Sequence, residues 1–287
     1  MSLLNQNAGI LIGEGTYGKV YRPHIPCKNK TFKNNVVGKV FADKDDYDNE
    51  VEIAKLIKNL NVKNEFSIPF YDNCDENMEI IYKNGGQDLY DYMINHNNHD
   101  KFYDILYKMR YICNGIQILI KNGLVHQDIK LENIVYNGED LYLIDYGLMT
   151  QRSIVYNIKA FLTYDYIAFP PEYKRHEYGI DFNIKFLKNF NGGSMLTFIQ
   201  TFYIDYKKDL LTLMDKPSYP TNKIDIYSLG MVICSLYKWY NHRDVNIEEL
   251  ICGMICFNPN KRWTINKVIK WFANNMPRRY MPSALTP

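Results

Sequence analysis

The sequence predicts an α+β protein in two lobes, a small antiparallel β-sheet with one helix followed by a mainly α-helical part. Before residue 83, short β-rich runs surround a single helical pattern, Tyr47–Leu60. Lys83-Asn84-Gly85-Gly86 then breaks the pattern, as expected where one lobe ends. Beyond this break, the apolar residues of Phe102–Ile120 and Ile224–Tyr240 recur with the period of α-helices.

These patterns divide the 287 residues into a first lobe over 1–83, a second lobe over 84–276 and a C-terminal tail over 277–287. Hydrophobic residues make up 46% of the chain and aromatic residues 15%, which excludes a disordered protein. The net charge of +2 gives no reason to expect a nucleic-acid partner. The longest apolar run, Tyr227–Tyr237, is shorter than the roughly 20 residues of a membrane span, so we expect no membrane partner.

The six cysteines lie mostly in apolar periodic segments without the spacing of a disulfide framework. We therefore expect reduced core thiols in an intracellular, cytoplasmic protein. The first ten residues lack the charged and apolar regions of a signal peptide. The abundance of Asn, Lys, Ile and Tyr is typical of an AT-rich genome. If that genome is viral, the expected location is the host-cell cytoplasm or the virion.

A glycine-rich segment lies near the start of the chain. Ile12–Val20 reads IGEGTYGKV and places Gly13, Gly15 and Gly18 in the G-x-G-x-x-G spacing. Glycines at this spacing let a backbone approach phosphate oxygens closely. A dinucleotide-binding turn with the same spacing would open into a helix, whereas Lys19-Val20-Tyr21 continues as a strand. The segment is therefore predicted to be a β-hairpin.

A lysine follows in the next β-rich run, Val36–Phe41, with Lys39 near its centre. A lone lysine in a strand usually faces solvent. Placed one loop after the glycine hairpin, however, Lys39 resembles a strand lysine that holds phosphates, and such a lysine needs a carboxylate partner. Glu50, in the first turns of the helical pattern, is the best candidate. Glu52 is the alternative, and we expect it on a different, solvated face of the helix.

The segment Val125–Tyr136, VHQDIKLENIVY, concentrates the chemistry of the chain. Phosphoryl transfer requires a carboxylate beside the acceptor hydroxyl, a cation near the moving phosphoryl group and an oxygen ligand for Mg²⁺. Asp128, Lys130 and Asn133 offer these three chemistries within one turn-forming stretch.

Together these segments resemble the eukaryotic-type protein kinase superfamily, serine/threonine branch, from Ile12 to Phe272. His126, Asp128, Lys130 and Asn133 match the catalytic loop, and Asp145-Tyr146-Gly147 matches the metal-binding D-F-G element with Tyr for Phe. The serine/threonine assignment rests on Lys130, since tyrosine kinases carry a different Ala/Arg pattern there.

The resemblance implies a bilobal kinase fold and transfer of the ATP γ-phosphoryl group to Ser or Thr hydroxyls of protein substrates. Asp128 would orient the hydroxyl or accept its proton, and Lys130 would neutralise charge. Mg²⁺, with Mn²⁺ as an alternative, would be held by Asn133 and Asp145. The residues implied to contact ATP are Ile12, Gly13, Gly15, Gly18, Val20, Lys39, Glu50, Ile81 and Lys83. The backbone of Ile81 to Lys83 would contact the edge of the adenine base, and Ile80 would lie behind the base.

Three later elements separate protein kinases from small-molecule kinases. Phe169-Pro170-Pro171-Glu172 resembles the A-P-E element, preceded by Thr163 and Tyr166. Asp225 and Gly230 match the family's D-x-x-x-x-G, and Asp225 is implied to bind the backbone of the catalytic loop. Arg262 is implied to pair with Glu172.

Two other functions stay open on the sequence. One is a pseudokinase that acts as a nucleotide-binding scaffold, which the presence of Lys39, Asp128, Asn133 and Asp145 disfavours. The other is a small-molecule kinase, which the three later elements disfavour.

Two departures from the family carry hypotheses. Gln127 replaces the Arg that usually precedes the catalytic Asp, so activity is expected not to require phosphorylation of the activation segment. An insertion over 173–224 contains a helical pattern, Met195–Met214. We expect it to pack near the end of the Asp225 helix and to dock substrates, with a surface elaboration lacking a binding role as the alternative.

Overall fold

A computed structural model of the chain describes residues 9–15, 18–28, 30–32, 35–96, 100–152, 170–171, 198–199, 201–203, 208, 221–241 and 243–276. The chain divides into two compact units. One comprises the residues up to Gly86 together with Val135–Gly147, and the other comprises Gln87–Ile134 and the residues from Leu148 onward. Sheet dominates the first unit and helix the second, so the predicted α+β class is confirmed.

The described elements follow in chain order. The strands are β1 (Ile10–Gly15), β2 (Gly18–Arg22), β3 (Val36–Phe41), β4 (Phe70–Cys74), β5 (Glu79–Lys83), β6 (Gln87–Asp88), β7 (Leu124–Val125), β8 (Ile134–Tyr136), β9 (Leu141–Leu143) and β10 (Thr150–Gln151). The helices are α1 (Lys44–Leu60), α2 (Leu89–Asn95), α3 (Asp100–Lys121), α4 (Ile224–Trp239), α5 (Val245–Met254) and α6 (Ile265–Asn275). None of these described helices is both long enough and apolar enough to cross a membrane.

The first unit is built on a five-stranded antiparallel sheet in the order β1-β2-β3-β5-β4. Helix α1 packs against β3 and β4. The helix begins where the Asp43 carboxylate accepts the N–H groups of Asp45 and Asp46, which lack partners within the helix. The shared core contains Phe41, Tyr47, Val51, Ala54, Phe70 and Ile80.

One strand lies later in the chain than its sequence pattern indicates. The run Phe66–Tyr71 has the composition of a strand, but β4 begins only at Phe70 and extends to Cys74. Pro69 has no N–H to donate to a ladder. The residues before it pair elsewhere: Leu143 donates to the carbonyl of Phe66 at 2.8 Å and accepts from Ile68 at 3.3 Å.

The expectation of six reduced thiols is wrong for one pair. Cys27, in the loop between β2 and β3, forms a disulfide with Cys74 at the end of β4, with their Cα atoms 6.1 Å apart. The two residues are separated by 47 positions, so their pairing follows from the tertiary fold and not from local spacing. The four remaining cysteines form no disulfide among the described residues, and all except Cys252 are buried.

Further contacts fasten the same loop to the sheet. Glu79 on β5 is 0% exposed, and its Oε1 accepts the N–H of Ile25 at 2.8 Å. Its carboxylate occupies the space beside Gly38, where a Cβ would have no room. Nearby, Lys30 donates to the carbonyl of Asn73 at 2.6 Å and pairs with Asp72 at 3.0 Å.

The second unit is organised by α3 and α4, which pack against each other. Helix α3 buries the apolar stripe predicted over Phe102–Ile120, and it also contacts α6. Helix α4 is buried along nearly its whole length. The short helix α2 is an addition that the sequence patterns did not predict.

Only part of the insertion over 173–224 falls among the described residues, so the predicted Met195–Met214 helix lies largely outside them. Its described residues contact the end of α4 and the segment that follows α5. The rings of Phe198 and Tyr237 lie 6.1 Å apart, and the Tyr203 hydroxyl accepts the N–H of Phe257 at 2.9 Å. Packing near the end of α4 agrees with the expectation for these residues, whereas the docking role stays a hypothesis.

Candidate active site

The first unit brings together one cation and two carboxylates. The Lys39 ammonium on β3 lies 3.1 Å from Glu50 Oε1 on α1 and 3.2 Å from Asp145 Oδ1, just after β9. The expected pairing of Lys39 with Glu50 is therefore confirmed, while Glu52 is exposed. Burial of Lys39 opposes its charge, but the two carboxylates outweigh this effect and raise its pKa. The ammonium is thus held charged and in a fixed direction.

Local structure explains this convergence. Lys39 lies opposite Val20 on β2 and Ile80 on β5, so it belongs to the middle strand of the sheet. Glu50 lies one turn from the buried Tyr47 and Ala54 on the face of α1 that contacts the sheet. Asp145 has φ of 60°, an uncommon conformation for a non-glycine residue. That conformation turns the chain immediately after β9.

The glycine-rich hairpin forms as predicted from β1 and β2, with Gly15 opposite Gly18. Among the described residues, a Cβ at Gly13 or Gly15 would meet nothing closer than 3.8 Å. Gly18 differs, because the carbonyl of Val40 leaves no room for a side chain there. The open space fits a close approach by a phosphate group.

The predicted adenine region lies at the end of β5. Ile80 is fully buried, and the backbone N–H of Lys83 donates to the carbonyl of Pro69 at 3.0 Å. An adenine edge that used this N–H would have to displace Pro69. Ile12 lies at a bulge between β1 and β2 with an exposed apolar side chain, and Val20 is half-buried. Contact of these residues with ATP stays a prediction.

The second unit holds the catalytic loop in a defined geometry. Asp128 Oδ2 accepts from the Lys130 ammonium at 2.9 Å and from the Asn133 amide at 2.8 Å. The same amide of Asn133 also donates to the backbone carbonyl of Asp128 at 2.8 Å. These contacts fix the orientation of the Asp128 carboxylate. Asn133 reaches it from a short 3₁₀ turn, Leu131–Asn133.

Asp225 supports this loop from α4. One carboxylate oxygen accepts the N–H of His126 and the other accepts the N–H of Gln127, both at 2.9 Å. The implied role of Asp225 is therefore confirmed. Burial raises the pKa of its carboxyl, and the two donated hydrogen bonds act in the opposite direction. Gln127, with φ of 70°, is held in an unusual conformation by this bond.

Arg262 is almost completely buried, so it is not a surface arginine. Its guanidinium donates to the carbonyls of Cys256 at 2.9 Å and Lys223 at 3.0 Å. Glu172, its implied partner, lies outside the described residues, so that pairing stays a prediction. Lys223 returns the contact by donating to the carbonyls of Pro259 at 2.8 Å and Arg262 at 2.6 Å.

Three contacts near the candidate site were missed by sequence reasoning. The Lys223 ammonium binds backbone carbonyls, a target that side-chain patterns do not reveal. The Gln127 amide donates to the carbonyl of Leu148 at 2.8 Å. The Lys83 ammonium binds Asp140 and Tyr142, contacts that no sequence pattern indicated.

Residues 7–182 match the family model of the protein kinase domain. This match covers more than half of the chain, and it agrees with the fold, with the ion pairs of Lys39 and with the contacts of the Asp128 loop. The chain therefore belongs to the protein kinase domain family, of the eukaryotic type. Members of this family generally use ATP and Mg²⁺ and act on protein substrates.

Several curated proteins are similar over the same region. Myosin light chain kinase 3 of Homo sapiens is 27% identical over 183 residues, which are 58% of this chain and 21% of that protein. Calcium-dependent protein kinase 4 of Plasmodium falciparum (isolate 3D7) is 29% identical over 151 residues, 49% of this chain and 28% of that protein. The mouse NUAK family SNF1-like kinase 1 is 27% identical over 145 residues, 48% of this chain and 21% of that protein. The chain thus spans less than a third of each of these relatives where it matches them.

Proposed function

We propose that this protein is an active serine/threonine protein kinase that transfers the γ-phosphoryl group of ATP to protein hydroxyls. The observation that carries the proposal is the ion pairing of Lys39 with both Glu50 and Asp145, at 3.1 and 3.2 Å. A charged ammonium held in one direction is suited to binding phosphate oxygens.

The catalytic loop supplies the acceptor side of the reaction. Among the described residues, Lys130 and Asn133 both contact Oδ2 of Asp128, which leaves Oδ1 for a substrate hydroxyl. Asp128 would orient this hydroxyl and accept its proton as the new bond to phosphorus forms. Lys130, whose ammonium is 2.9 Å from the same carboxylate, would balance the negative charge there.

The donor set also fits the family's cofactors. Mg²⁺ bound with ATP would neutralise phosphate charge. Asp145 and Asn133 each carry a side-chain oxygen of the kind that would serve as a ligand to it. Mg²⁺ in nucleotide enzymes usually takes one or two protein ligands and completes its shell with phosphate oxygens and water. Mn²⁺ accepts the same oxygen donors and is the alternative ion.

The experiment that tests the proposal is phosphate transfer from radiolabelled ATP to generic acceptor proteins. Wild type should label them, and Asp128→Asn should lower the rate by about 10²-fold or more. Asp48→Asn, which removes an exposed carboxylate paired with Lys44 on α1, is the matched control and should retain activity. Analysis of the labelled amino acids should show phosphoserine and phosphothreonine; phosphotyrosine alone would contradict the Ser/Thr assignment.

Two results would replace the proposal. Binding of ATP without transfer to any acceptor would indicate a nucleotide-binding scaffold. Transfer to small hydroxyl compounds but not to proteins would indicate a small-molecule kinase, although the Asp225 support of the catalytic loop disfavours it.

We also propose a cytoplasmic location. The Cys27–Cys74 disulfide weighs against this location, because the reducing cytoplasm normally keeps protein thiols reduced. Fractionation of the expressing cells, with alkylation of free thiols before lysis, tests both the location and the state of this pair.

A further inference from the structure

Lys83 lies at the end of β5, where the family resemblance predicts that the adenine base of ATP binds. Its ammonium donates to Asp140 Oδ2 at 2.9 Å and to the hydroxyl of Tyr142 at 3.0 Å. The Tyr142 hydroxyl in turn donates to the same Asp140 oxygen at 2.9 Å. The three side chains therefore form a closed set of contacts, and we call them the Lys83 clamp.

The clamp joins β5 to the hairpin of β8 and β9, and its three residues all belong to the first unit. Its Asp140 end is fixed locally, because Asn137 Oδ1 accepts the N–H groups of Glu139 at 2.9 Å and Asp140 at 2.7 Å. The carboxylate is thus presented to Lys83 by a defined turn.

The residues after Lys83 lie directly against the same hairpin. A Cβ at Gly85 would overlap the side chain of Val135, and one at Gly86 would overlap the backbone of Tyr136. Gly86 also has φ of 90°, which disfavours any other residue. The backbone therefore contacts the hairpin at close range, and Lys83 adds the only charged contact between β5 and this hairpin among the described residues.

Both charges of the clamp are maintained at neutral pH. Partial burial opposes the charge on Lys83, but Tyr142 and Asp140 raise its pKa overall. Burial likewise opposes the charge on Asp140, and the hydrogen bond from Lys83 lowers its pKa overall. The side chains are 27% and 47% exposed, so solvent weakens the pair but does not remove it.

The phosphate-binding set is held independently of the clamp. Asp145 is bound by Lys39, and β9 is anchored near it by the two hydrogen bonds of Leu143 to Phe66 and Ile68. Loss of the clamp should therefore disturb the end of β5 while leaving Lys39 and Asp145 in place.

We propose that Lys83, Asp140 and Tyr142 are positioning residues that hold the end of β5 for recognition of the adenine base. This inference rests on the proposed function and names the part of ATP that the clamp serves. If this is so, the affinity for the nucleoside depends on the clamp. The rate of transfer at saturating ATP, kcat, does not depend on it.

The test compares adenosine and ATP on the full chain. In Lys83→Met, the adenosine dissociation constant and the KM for ATP should both rise about threefold to fivefold, as expected for a partly exposed ion pair, with kcat unchanged. Asp140→Asn should have a similar effect, and the double variant should be no worse than either single one. Lys83→Arg should restore most of the affinity, since its guanidinium can reach the same carboxylate.

Lys30→Met is the matched control, because Lys30 forms a similar ion pair, with Asp72 at 3.0 Å, away from the end of β5. It should leave adenosine affinity unchanged. Lys39→Met is the converse control and should weaken ATP binding more than adenosine binding. Asp140→Asn and Tyr142→Phe keep the side-chain shapes and carry the test if Lys83→Met does not fold.

Three outcomes would overturn the clamp. Wild-type adenosine affinity in all three clamp variants would show that it does not position β5. A fall in kcat and in the folded fraction, with KM for ATP unchanged, would show a purely structural role. If wild type bound neither adenosine nor ATP, both the proposed function and the clamp would be wrong. If wild type binds them and the clamp variants do not differ from it, only the clamp is wrong.

Discussion

The side-chain amide of Gln127 donates to the carbonyl of Leu148 at 2.8 Å, joining the residue before Asp128 to a residue shortly after Asp145. Gln127 is buried, and its own N–H is bound by Asp225 at 2.9 Å. A neutral side chain thus holds the start of the activation segment by hydrogen bonding. An arginine at this position could instead bind a phosphate.

We expect full activity without phosphorylation of the segment from Asp145 to Glu172, because Gln127 cannot form an ion pair with a phosphate. Purified enzyme treated with phosphatase, with its dephosphorylated mass confirmed, should retain its rate of phosphate transfer. Mock-treated enzyme is the control. Activity that is lost on treatment and restored by rephosphorylation would contradict this expectation.

Lys39→Met and Asp145→Asn should each lower phosphate transfer by about 10²-fold or more, because electrostatic positioning of the triphosphate supplies much of the catalysis. The fold should persist, which circular dichroism and thermal unfolding would check. Lys44→Met removes a lysine from an exposed ion pair on α1 and should behave as wild type. Near-wild-type rates in a folded Lys39 or Asp145 variant would exclude that residue from the site.

Asp225→Asn should destabilise the protein and lower its activity together. The two N–H groups bind two separate carboxylate oxygens, and in asparagine one of these becomes an NH₂ group, so one buried donor at His126 or Gln127 would lose its acceptor on residue 225. A buried unsatisfied donor costs about 1–3 kcal/mol. Urea unfolding would measure the loss in free energy of unfolding, and the transfer assay would measure the rate. Unchanged stability and rate would show that the catalytic loop does not need this support.

Glu79→Gln should stabilise the protein at neutral pH. Burial raises the pKa of Glu79 above its ordinary 4.5, so the folded state binds this proton more tightly than the unfolded state does. Its contribution to stability is full below pH 4.5 and is lost as the pH rises through the folded-state pKa. Glutamine keeps an oxygen for the N–H of Ile25 and has no charge to bury.

Thermal unfolding of wild type and Glu79→Gln from pH 4 to pH 8 checks this, and the difference should grow with pH in favour of the variant. The opposing group is His24, whose ring nitrogen lies 4.0 Å from Glu79 Oε2. A variant less stable than wild type at pH 7 would show that this pair outweighs the cost of burying the carboxylate.

The positions that carry chemistry could be predicted because they are set by spacing along the chain. The glycines of the hairpin, Lys39 and the Asp128 loop are examples, and the helical period singled out Glu50 over Glu52. The Cys27–Cys74 bond could not be predicted, because it joins a loop to a strand end across 47 positions. The displaced start of β4 shows the same limit: the pairing of Phe66 and Ile68 with Leu143 is a tertiary contact.

Lys83 illustrates a second limit. The sequence predicted a role for the Lys83 backbone, at the adenine edge of ATP. It gave no reason to expect a role for the Lys83 side chain. Its partners Asp140 and Tyr142 become neighbours only when the hairpin of β8 and β9 lies against Gly85 and Gly86. From sequence alone, a lysine in a strand is expected to face solvent, because the structural element that contacts it is not known.

The buried Lys223 ammonium has a consequence for protein engineering. It precedes α4, which carries Asp225, and it is bound by the carbonyls of Pro259 and Arg262. A fragment ending before Pro259 would remove these two carbonyl acceptors of the Lys223 ammonium, next to the helix that carries Asp225. We therefore expect a stable catalytic fragment to include the residues through Arg262, beyond residue 182 where the family match ends.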